Sequence, residues 1–307
     1  MWSRLRQFVA PVPAEPQPKG VAVDGNSLVL LGDGLARLKQ LAPKDGETHS
    51  TRVWNGTEWS DVEVVPGVHQ YPVHTVHLSN GCSVRCAAHH AWVVRRDDRA
   101  ESVTTDQLRT GDEMFPFLSP PVPAWNCVEP AQRQAAVLLG ESCGRSGLKL
   151  KRLPPEVTQL SAAEIPWFLQ GWLNISKRLL VCEELVGEML VVMAGAGCAP
   201  CRSVLCSNGK LWRVRVPKDM QSRLPPLPES AFCSIPAGPV KVTGLELSGR
   251  EAMWHVCVPE NARGQPVVIG GSLAVAAKRQ SSPVADVPEV LVNSHIMSNT
   301  QPRATFV

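Results

Sequence analysis

The chain has 307 residues, 44% of them hydrophobic, with a formal net charge of +3 and a pI near 8.4. This length allows one large core or two modest ones, and the mild positive charge permits nucleic-acid contact without requiring it. Ten cysteines spread along the chain exclude a dense disulfide scaffold, and the sequence has neither a secretory segment nor an apolar run long enough to span a bilayer.

The first twenty residues are predicted to stand apart from any folded domain. Residues 11–20 are rich in proline, which lacks an amide hydrogen and cannot join a helix interior or a central strand. Reduced thiols favour an intracellular protein, nuclear or cytoplasmic. Arg4 and Arg6, with no acidic residue before Glu15, leave a short organellar (mitochondrial) targeting peptide as the alternative.

Residues 21–125 are predicted to be entirely β. Asn55-Gly56 and Asn80-Gly81 both lie between stretches of alternating apolar residues, which is the strongest short-range signal for a β-hairpin. The predicted strands are Ser27–Leu31, Arg52–Trp54, Trp59–Val65, Val73–Leu78, Cys82–Cys86 and Ala91–Arg95.

The pattern changes to helical spacing over residues 126–223. Helices are predicted over Pro130–Gly140, Ala162–Leu173 and Cys182–Met193, followed by a hairpin of Arg202–Cys206 and Leu211–Val216. After a Pro-rich linker, 224–239, the segment 240–277 returns to strands, at Val240–Leu247, Met253–Val258 and Val267–Val275. The polar tail 278–307 is expected to be disordered. The simplest interpretation is a mainly β domain, built from 21–125 and 240–277, that is interrupted by an α/β insert.

Motifs in the β portion follow one another in an order typical of a known family. They are Gly25–Leu41, Asn55–Val62, Leu78–Val94 with its histidine and following aromatic residue, the Leu-x-x-Gly-Asp turn within Val103–Asp112, Ala252–Glu260 and Val267–Val275. In this order they resemble the blocks of the Hint family, to which inteins belong. The resemblance implies a horseshoe-shaped β domain formed by both ends of the chain.

The resemblance also indicates which positions would carry intein splicing. That reaction begins with an acyl shift at a Cys or Ser, assisted by a histidine that protonates the scissile amide. The nucleophile position is Ala22; the second block has Ala87 in place of threonine and keeps His90; the terminal His and Asn positions are Ala276 and Ala277. Alanine has no heteroatom, so the resemblance implies that splicing is lost.

His90 is the one splicing position that this sequence retains. It is expected to be an inherited residue packed beside Trp92, and His89 is expected to face solvent by strand alternation. Only 21 residues precede Ala22 and 30 follow Ala277, which favours a stand-alone protein over an intein within a host enzyme.

The insert carries two further motif-like segments. Val137–Ser146 and Ile165–Lys177 resemble the two motif helices of LAGLIDADG homing endonucleases, which pack closely through small residues such as Gly140 and Gly171. In that family, carboxylates at the helix ends hold Mg²⁺ at the DNA cleavage site.

The carboxylates expected at those helix ends are replaced. The metal-ligand positions are Arg145 and Ser176, with Asn174 at the other usual aspartate and Glu141 one helical turn early. Arg145 would repel a divalent cation. The resemblance therefore implies that DNA cleavage is lost and that no cofactor is needed; Mg²⁺ would be required only by an active endonuclease.

Basic residues of the insert are the candidate contacts to nucleic acid: Lys177, Arg178, Lys210, Arg213 and Arg215. If Arg213 and Arg215 share a strand face they could touch phosphates, and a solvated basic surface is the alternative. Cys198-Ala-Pro-Cys201 is similar to a redox motif or half a zinc site, but no second pair completes a tetrahedral set, so packed or exposed thiols are expected.

Three functions remain open from the sequence. The first is an inactive Hint and LAGLIDADG-derived protein retained as a module that binds DNA, RNA or protein partners in an assembly. The second is an active homing endonuclease or self-processing Hint protein. The third is a structural subunit of a large complex. No small-molecule substrate and no membrane partner are expected.

Overall fold

A computed structural model of the chain gives one large sheet, one small sheet of four strands and a separate pair of strands. It describes residues 21–44, 46–56, 58–67, 70–114, 118–121, 125–199, 201–218, 221, 224–234 and 238–257, and the backbone of strands at 266–269 and 272–275. The large sheet has 12 strands, and every pairing in it is antiparallel. The mainly β fold class expected from the sequence is confirmed.

The elements are short and follow one another closely. In chain order the strands are β1 (Val21–Val23), β2 (Leu28–Leu30), β3 (Leu35–Arg37), β4 (His49–Trp54), β5 (Trp59–Val65), β6 (Gln70–Leu78), β7 (Ser83–Ala87), β8 (Ala91–Arg96), β9 (Arg99–Thr104), β10 (Glu113–Met114), β11 (Leu179–Val181), β12 (Arg202–Leu205), β13 (Trp212–Pro217), β14 (Phe232–Cys233), β15 (Val240–Ala252), β16 (Trp254–Cys257), β17 (Pro266–Ile269) and β18 (Ser272–Val275). The helices are α1 (Leu38–Leu41), α2 (Pro130–Ser146), α3 (Ile165–Ser176) and α4 (Glu183–Gly195).

Strands from the two ends of the chain are interleaved in the large sheet. Its order is β17-β18-β8-β10-β15-β6-β7-β1-β16-β5-β4, with β9 beside β8. β1 lies between β7 and β16, and β6 pairs along most of its length with β15. The segments before and after the helices therefore build one sheet together.

The helices and the small sheet belong to the middle of the chain. In the small sheet β13 lies between β11 and β12, and β14 pairs with it in parallel. Helix α2 packs on α3, whereas α4 packs against β2 and β7 of the β portion as well as β13. Side chains of α4 and of the large sheet belong to one hydrophobic core. No described helix is long and apolar enough to cross a membrane.

A buried ion pair joins the β portion to α4. The Arg37 guanidinium donates to both carboxylate oxygens of Glu188, at 2.7 and 3.0 Å, and the two side chains are only 7% and 12% exposed. Arg37 also donates to the carbonyls of Asn26 and Leu153, and the Leu153 amide donates to Glu188. These bonds fix α4 against β3.

The predicted elements are largely confirmed, and the differences concern short strands and element ends. Trp59–Val65 has the predicted bounds, while the helix expected to end at Gly140 continues to Ser146. Val267–Val275, predicted as one strand, is instead the antiparallel hairpin of β17 and β18. Residues 1–20 and 278–307 lie outside the described residues.

Candidate functional site

The backbone amide of Ala22 is held by a histidine. Ala22 lies in the middle of β1 and has no exposed surface. Its N–H donates to Nδ1 of His90 over 3.2 Å. Because Nδ1 accepts this bond, the imidazole is neutral and carries its proton on Nε2, which has no hydrogen-bond partner among the described residues. Two positions associated by motif resemblance are thus in direct contact.

His90 is fixed by the turn that connects β7 to β8. Its own N–H donates to the carbonyl of Ala87 at 3.0 Å, and its carbonyl accepts from the amide of Thr105 at 2.9 Å. Its ring lies edge-on to Trp92, with ring centroids 4.7 Å apart, and Trp92 Nε1 donates to Thr105 Oγ1 at 2.9 Å. The expected packing beside Trp92 is confirmed, and the ring also has a hydrogen-bonding role.

The Ala22 side chain is packed in an apolar environment. Ala22 and Ala87 belong to a buried apolar cluster that also contains Tyr71, Val73 and Met253. Methyl groups at positions 22 and 87 provide neither a nucleophile nor a hydrogen-bond donor, so no acyl shift can begin at Ala22. The positions expected for the terminal His and Asn, Ala276 and Ala277, lie outside the described residues.

A buried thiol near this site does not replace the missing nucleophile. Cys86 Sγ lies 3.3 Å from Thr105 Oγ1. Burial raises the pKa of the Cys86 thiol to about 12, although the Thr105 hydroxyl lowers it slightly. Because the thiolate is the reactive form, Cys86 is inert at neutral pH.

Two further histidines flank His90. His255 lies on β16 directly opposite Ala22 and is 2% exposed; no local sequence signal indicates it, because the contact depends on the pairing of β1 with β16. His89 was expected to face solvent, which is wrong: it lies in the turn after β7, where its half-buried ring stacks on His255 at 5.9 Å and meets Tyr71 edge-on at 5.0 Å. Burial, assisted by His89 and His255, lowers the pKa of His90 to about 3.

Helices α2 and α3 cross through a reciprocal pair of glycines. A Cβ added to Gly140 would lie 2.0 Å from the carbonyl oxygen of Phe168, and one added to Gly171 would lie 2.0 Å from that of Val137. Each glycine thus meets the carbonyl three residues before the other glycine, which is a local twofold arrangement. The expected close approach through Gly140 and Gly171 is confirmed.

The ends of these helices do not fit a divalent cation. Arg145 is exposed and pairs with Glu141 over 3.3 Å, so the nearest predicted carboxylate already has a cationic partner. Asn174 is exposed, and the Ser176 hydroxyl donates to the carbonyl of Trp172 at 3.2 Å. Mg²⁺ prefers several oxygen ligands with carboxylates among them. Within the described residues no group of His, Cys, Asp or Glu side chains is arranged to hold a metal.

Arginines gather on and beside one face of the small sheet. Arg213 and Arg215 are two residues apart on β13 and so share a face, and Arg202 lies directly opposite Arg215 on β12. Val214, between them, and Val216, after them, are buried, so the arginines lie on the opposite face of β13 from these valines. Burial lowers the pKa of Arg213, and the charges of Arg215 and Arg178 lower it further. Arg178, Arg202, Arg213 and Arg215 thus form a cluster of like charge, which is called the arginine face below.

No carboxylate within the described ranges forms an ion pair with these four arginines. Arg213 and Arg215 are half-buried and donate to the Ser230 carbonyl at 2.9 Å and to Cys233 Sγ at 3.7 Å. Of the residues predicted to contact nucleic acid, Lys177, Arg178 and Lys210 are exposed. Like charges directly opposite on neighbouring strands destabilise a sheet, so an anion bound at this face would stabilise it.

Comparisons with known proteins give weak likenesses. No protein-family model matches the chain. A stretch of 74 residues is 34% identical to the ribonucleoside-diphosphate reductase large subunit of Invertebrate iridescent virus 6, and it covers 24% of this chain but only 7% of the viral protein. Among solved structures, the Ssp DnaB mini-intein variant M86 aligns with 86% of this chain and 99% of its own, at 11% identity and a TM-score of 0.36. The TvoVMA intein aligns with 84% of this chain and 97% of its own, at 11% identity and a TM-score of 0.33. Both neighbours are inteins, and both superpose loosely.

Cys198 and Cys201 are not reactive thiols. Cys198 is buried, and Cys201 Sγ donates to its carbonyl at 2.9 Å. Burial and the neighbouring Cys198 raise the pKa of Cys201 well above its usual value. A redox thiol needs a lowered pKa, so these cysteines are packed structural thiols, as expected.

Proposed function

We propose that the chain is a Hint-type protein, related to inteins, in which self-splicing has been lost. One observation supports this most directly: the N–H of Ala22 is bound by Nδ1 of His90. In splicing, a histidine in this place assists departure of the amide nitrogen while a Cys or Ser at the same residue attacks the preceding carbonyl. Here the methyl group of Ala22 supplies no nucleophile, so the peptide bond after Val21 stays intact.

We also propose that the helical insert descends from a LAGLIDADG endonuclease that no longer cleaves DNA. The reciprocal crossing of Gly140 and Gly171 supports the descent, because only the absence of a Cβ permits that approach. Arg145 and Ser176 at the helix ends support the loss of cleavage, since neither can replace a carboxylate ligand. The protein would then need no metal cofactor.

The retained role that we propose is binding of nucleic acid through the arginine face. Phosphates would supply the anions that Arg178, Arg202, Arg213 and Arg215 lack within the described chain. Half-buried arginines held by backbone contacts lose less conformational freedom on binding than fully mobile ones. Contacts of this kind position the backbone of a nucleic acid and carry no sequence preference by themselves.

Binding is tested by fluorescence anisotropy with a DNA duplex and an RNA hairpin over about 50 to 200 mM salt. We expect log K to fall linearly with log salt, with a slope of about −0.9 for each phosphate contacted. In the double variant Arg178→Gln/Arg202→Gln, the slope of log K against log salt should be less steep by about 2. The control is Arg99→Gln, an exposed cation at the start of β9, which should behave as the wild type.

The same preparations separate the alternatives. Nicking of supercoiled plasmid by the wild-type chain with Mg²⁺ or Mn²⁺ would show an active endonuclease and contradict the proposed loss of cleavage. Absence of binding at low salt, with protein partners that co-purify in stoichiometric amounts, would instead support a structural subunit of an assembly. An unchanged salt slope in the double variant would exclude the arginine face as the contact surface.

A further inference from the structure

We propose that His89, His90 and His255 form an acid-sensitive switch that releases β1 from the large sheet. These three imidazoles are called the histidine cluster below. The switch would operate whether or not the chain descends from an intein, because it depends only on how β1 is held in this fold.

β1 is a short, fully buried strand whose central amide is bound by a side chain of the histidine cluster. The strand has three residues, pairs with β16 at Val21, Ala22 and Val23, and has one register partner on β7. The Ala22 N–H is bound by His90 Nδ1. Protonation of Nδ1 removes this acceptor and turns it into a donor that faces another donor. An added proton on His90 is therefore incompatible with the seated position of β1.

The other two imidazoles make protonation more disruptive. His89 and His255 stack with an angle of 13° between their planes, and both meet Tyr71 edge-on. A cation on one ring therefore lies against the other rings of the cluster. His255 is also the residue directly opposite Ala22, so repulsion within the cluster acts on the pairing of β1 with β16.

Among the described residues, an aspartate acts on one member of the histidine cluster. Asp106, in the single turn of 3-10 helix after β9, favours protonation of His89, although burial outweighs it and lowers the pKa of His89. Tyr71 on β6 lies edge-on to His89 and His255, and Trp92 on β8 lies edge-on to His90. Ala22 on β1 and Val65 on β5 lie opposite His255 in the sheet. Of the described carboxylates, Asp106 acts on His89, and none contributes to the lowered pKa of His90.

The direction of the pH effect follows from the lowered pKa of His90. At a pH above about 6.5, the ordinary pKa of histidine, the His90 imidazole is neutral whether β1 is paired in the sheet (seated) or released. In this range pH does not change the fraction of molecules in which β1 is released. As pH falls below this value, only the released state takes up the proton, because the seated state has a pKa of about 3. This linkage raises the released fraction about 25-fold between pH 7 and pH 5.

Hydrogen–deuterium exchange of the full chain at both pH values, corrected for intrinsic rates, tests the switch. Protection of the β1 amides should fall about 25-fold on acidification, while the amides of α4 keep most of theirs. His90→Asn, which retains an acceptor oxygen, should lose most of this response. His89→Gln, which leaves the contact to Ala22 in place, should show a smaller response than the wild type. The control His49→Gln changes an exposed histidine on β4 and should respond as the wild type.

Three results would overturn the switch. The first is equal protection of β1 at the two pH values in the wild type. The second is a loss of protection that is as large in α4 as in β1, since that would be global unfolding. The third is a full wild-type response in both His90→Asn and His89→Gln; should His90→Asn fail to fold, His89→Gln and the comparison with α4 decide the matter.

Discussion

Replacing Arg37 with methionine is expected to lower the free energy of unfolding by about 3–5 kcal/mol. The reason is that the Glu188 carboxyl group, only 12% exposed, would lie in the core without the guanidinium that donates to both of its oxygens. The carbonyls of Asn26 and Leu153 would lose their donors as well. Urea denaturation followed by tryptophan fluorescence measures the loss.

Two matched variants identify burial as the cause. Arg52→Met breaks an ion pair to Asp61 of similar length, 3.3 Å, whose side chains are 64% and 76% exposed, and should cost about 0–1 kcal/mol. The double variant Arg37→Met/Glu188→Leu removes both charges and should regain much of the stability. A loss in Arg37→Met no larger than that in Arg52→Met would show that the pair does not hold α4 in place.

A single methyl group at Gly171 is expected to destabilise the chain by about 3 kcal/mol. In a helix interior, alanine is normally more favourable than glycine by about 1 kcal/mol. The expected loss of stability is therefore opposite in sign to the effect of helix propensity. The added Cβ would lie 2.0 Å from the carbonyl oxygen of Val137, a backbone atom that cannot move without separating α2 from α3. The change is measured by the same urea titration.

Gly147→Ala is the control for this prediction. Gly147 follows the last residue of α2 and has right-handed helical backbone angles, and an added Cβ would meet nothing closer than 3.5 Å, on the Trp172 ring. Alanine should therefore be neutral or stabilise by about 0.4–1 kcal/mol. Equal stability of Gly171→Ala and Gly147→Ala would mean that the two helices do not cross as described.

Local chemistry made much of the fold predictable. Asn55-Gly56 and Asn80-Gly81 indicated their turns because few other residue pairs accept those backbone angles, and Gly81 indeed has φ +80°. Helical spacing indicated α2, α3 and α4. β1 could not be predicted in the same way, because a three-residue strand shows no alternation and is defined by its partners β7 and β16.

The candidate site was predictable only where a motif spans it. The motif resemblance associates Ala22 with His90, and the two residues are in contact. His255 and the pair of Arg37 with Glu188 had no such motif, because their contacts join residues that are remote in sequence. Strand alternation misplaced His89, since the rule does not apply in the turn that follows β7.

We propose that the chain holds a splicing-type site that lacks only its reacting side chains near the Ala22 amide. It is tested most directly by the variant Ala22→Cys/Ala87→Thr. The thiol introduced at position 22 should attack the Val21 carbonyl, so that the C–N bond breaks, a thioester forms and the nitrogen leaves as an amine. Dithiothreitol then takes over the acyl group, which separates residues 1–21 from 22–307.

The measurement is intact mass after incubation with dithiothreitol. We expect the two fragments from Ala22→Cys/Ala87→Thr, none from the wild type, and none when His90→Ala is added, because the leaving nitrogen then has no imidazole beside it. An uncleaved Ala22→Cys/Ala87→Thr protein that is folded, or equal cleavage with and without His90, would show that Ala22 and His90 do not form a splicing-type site.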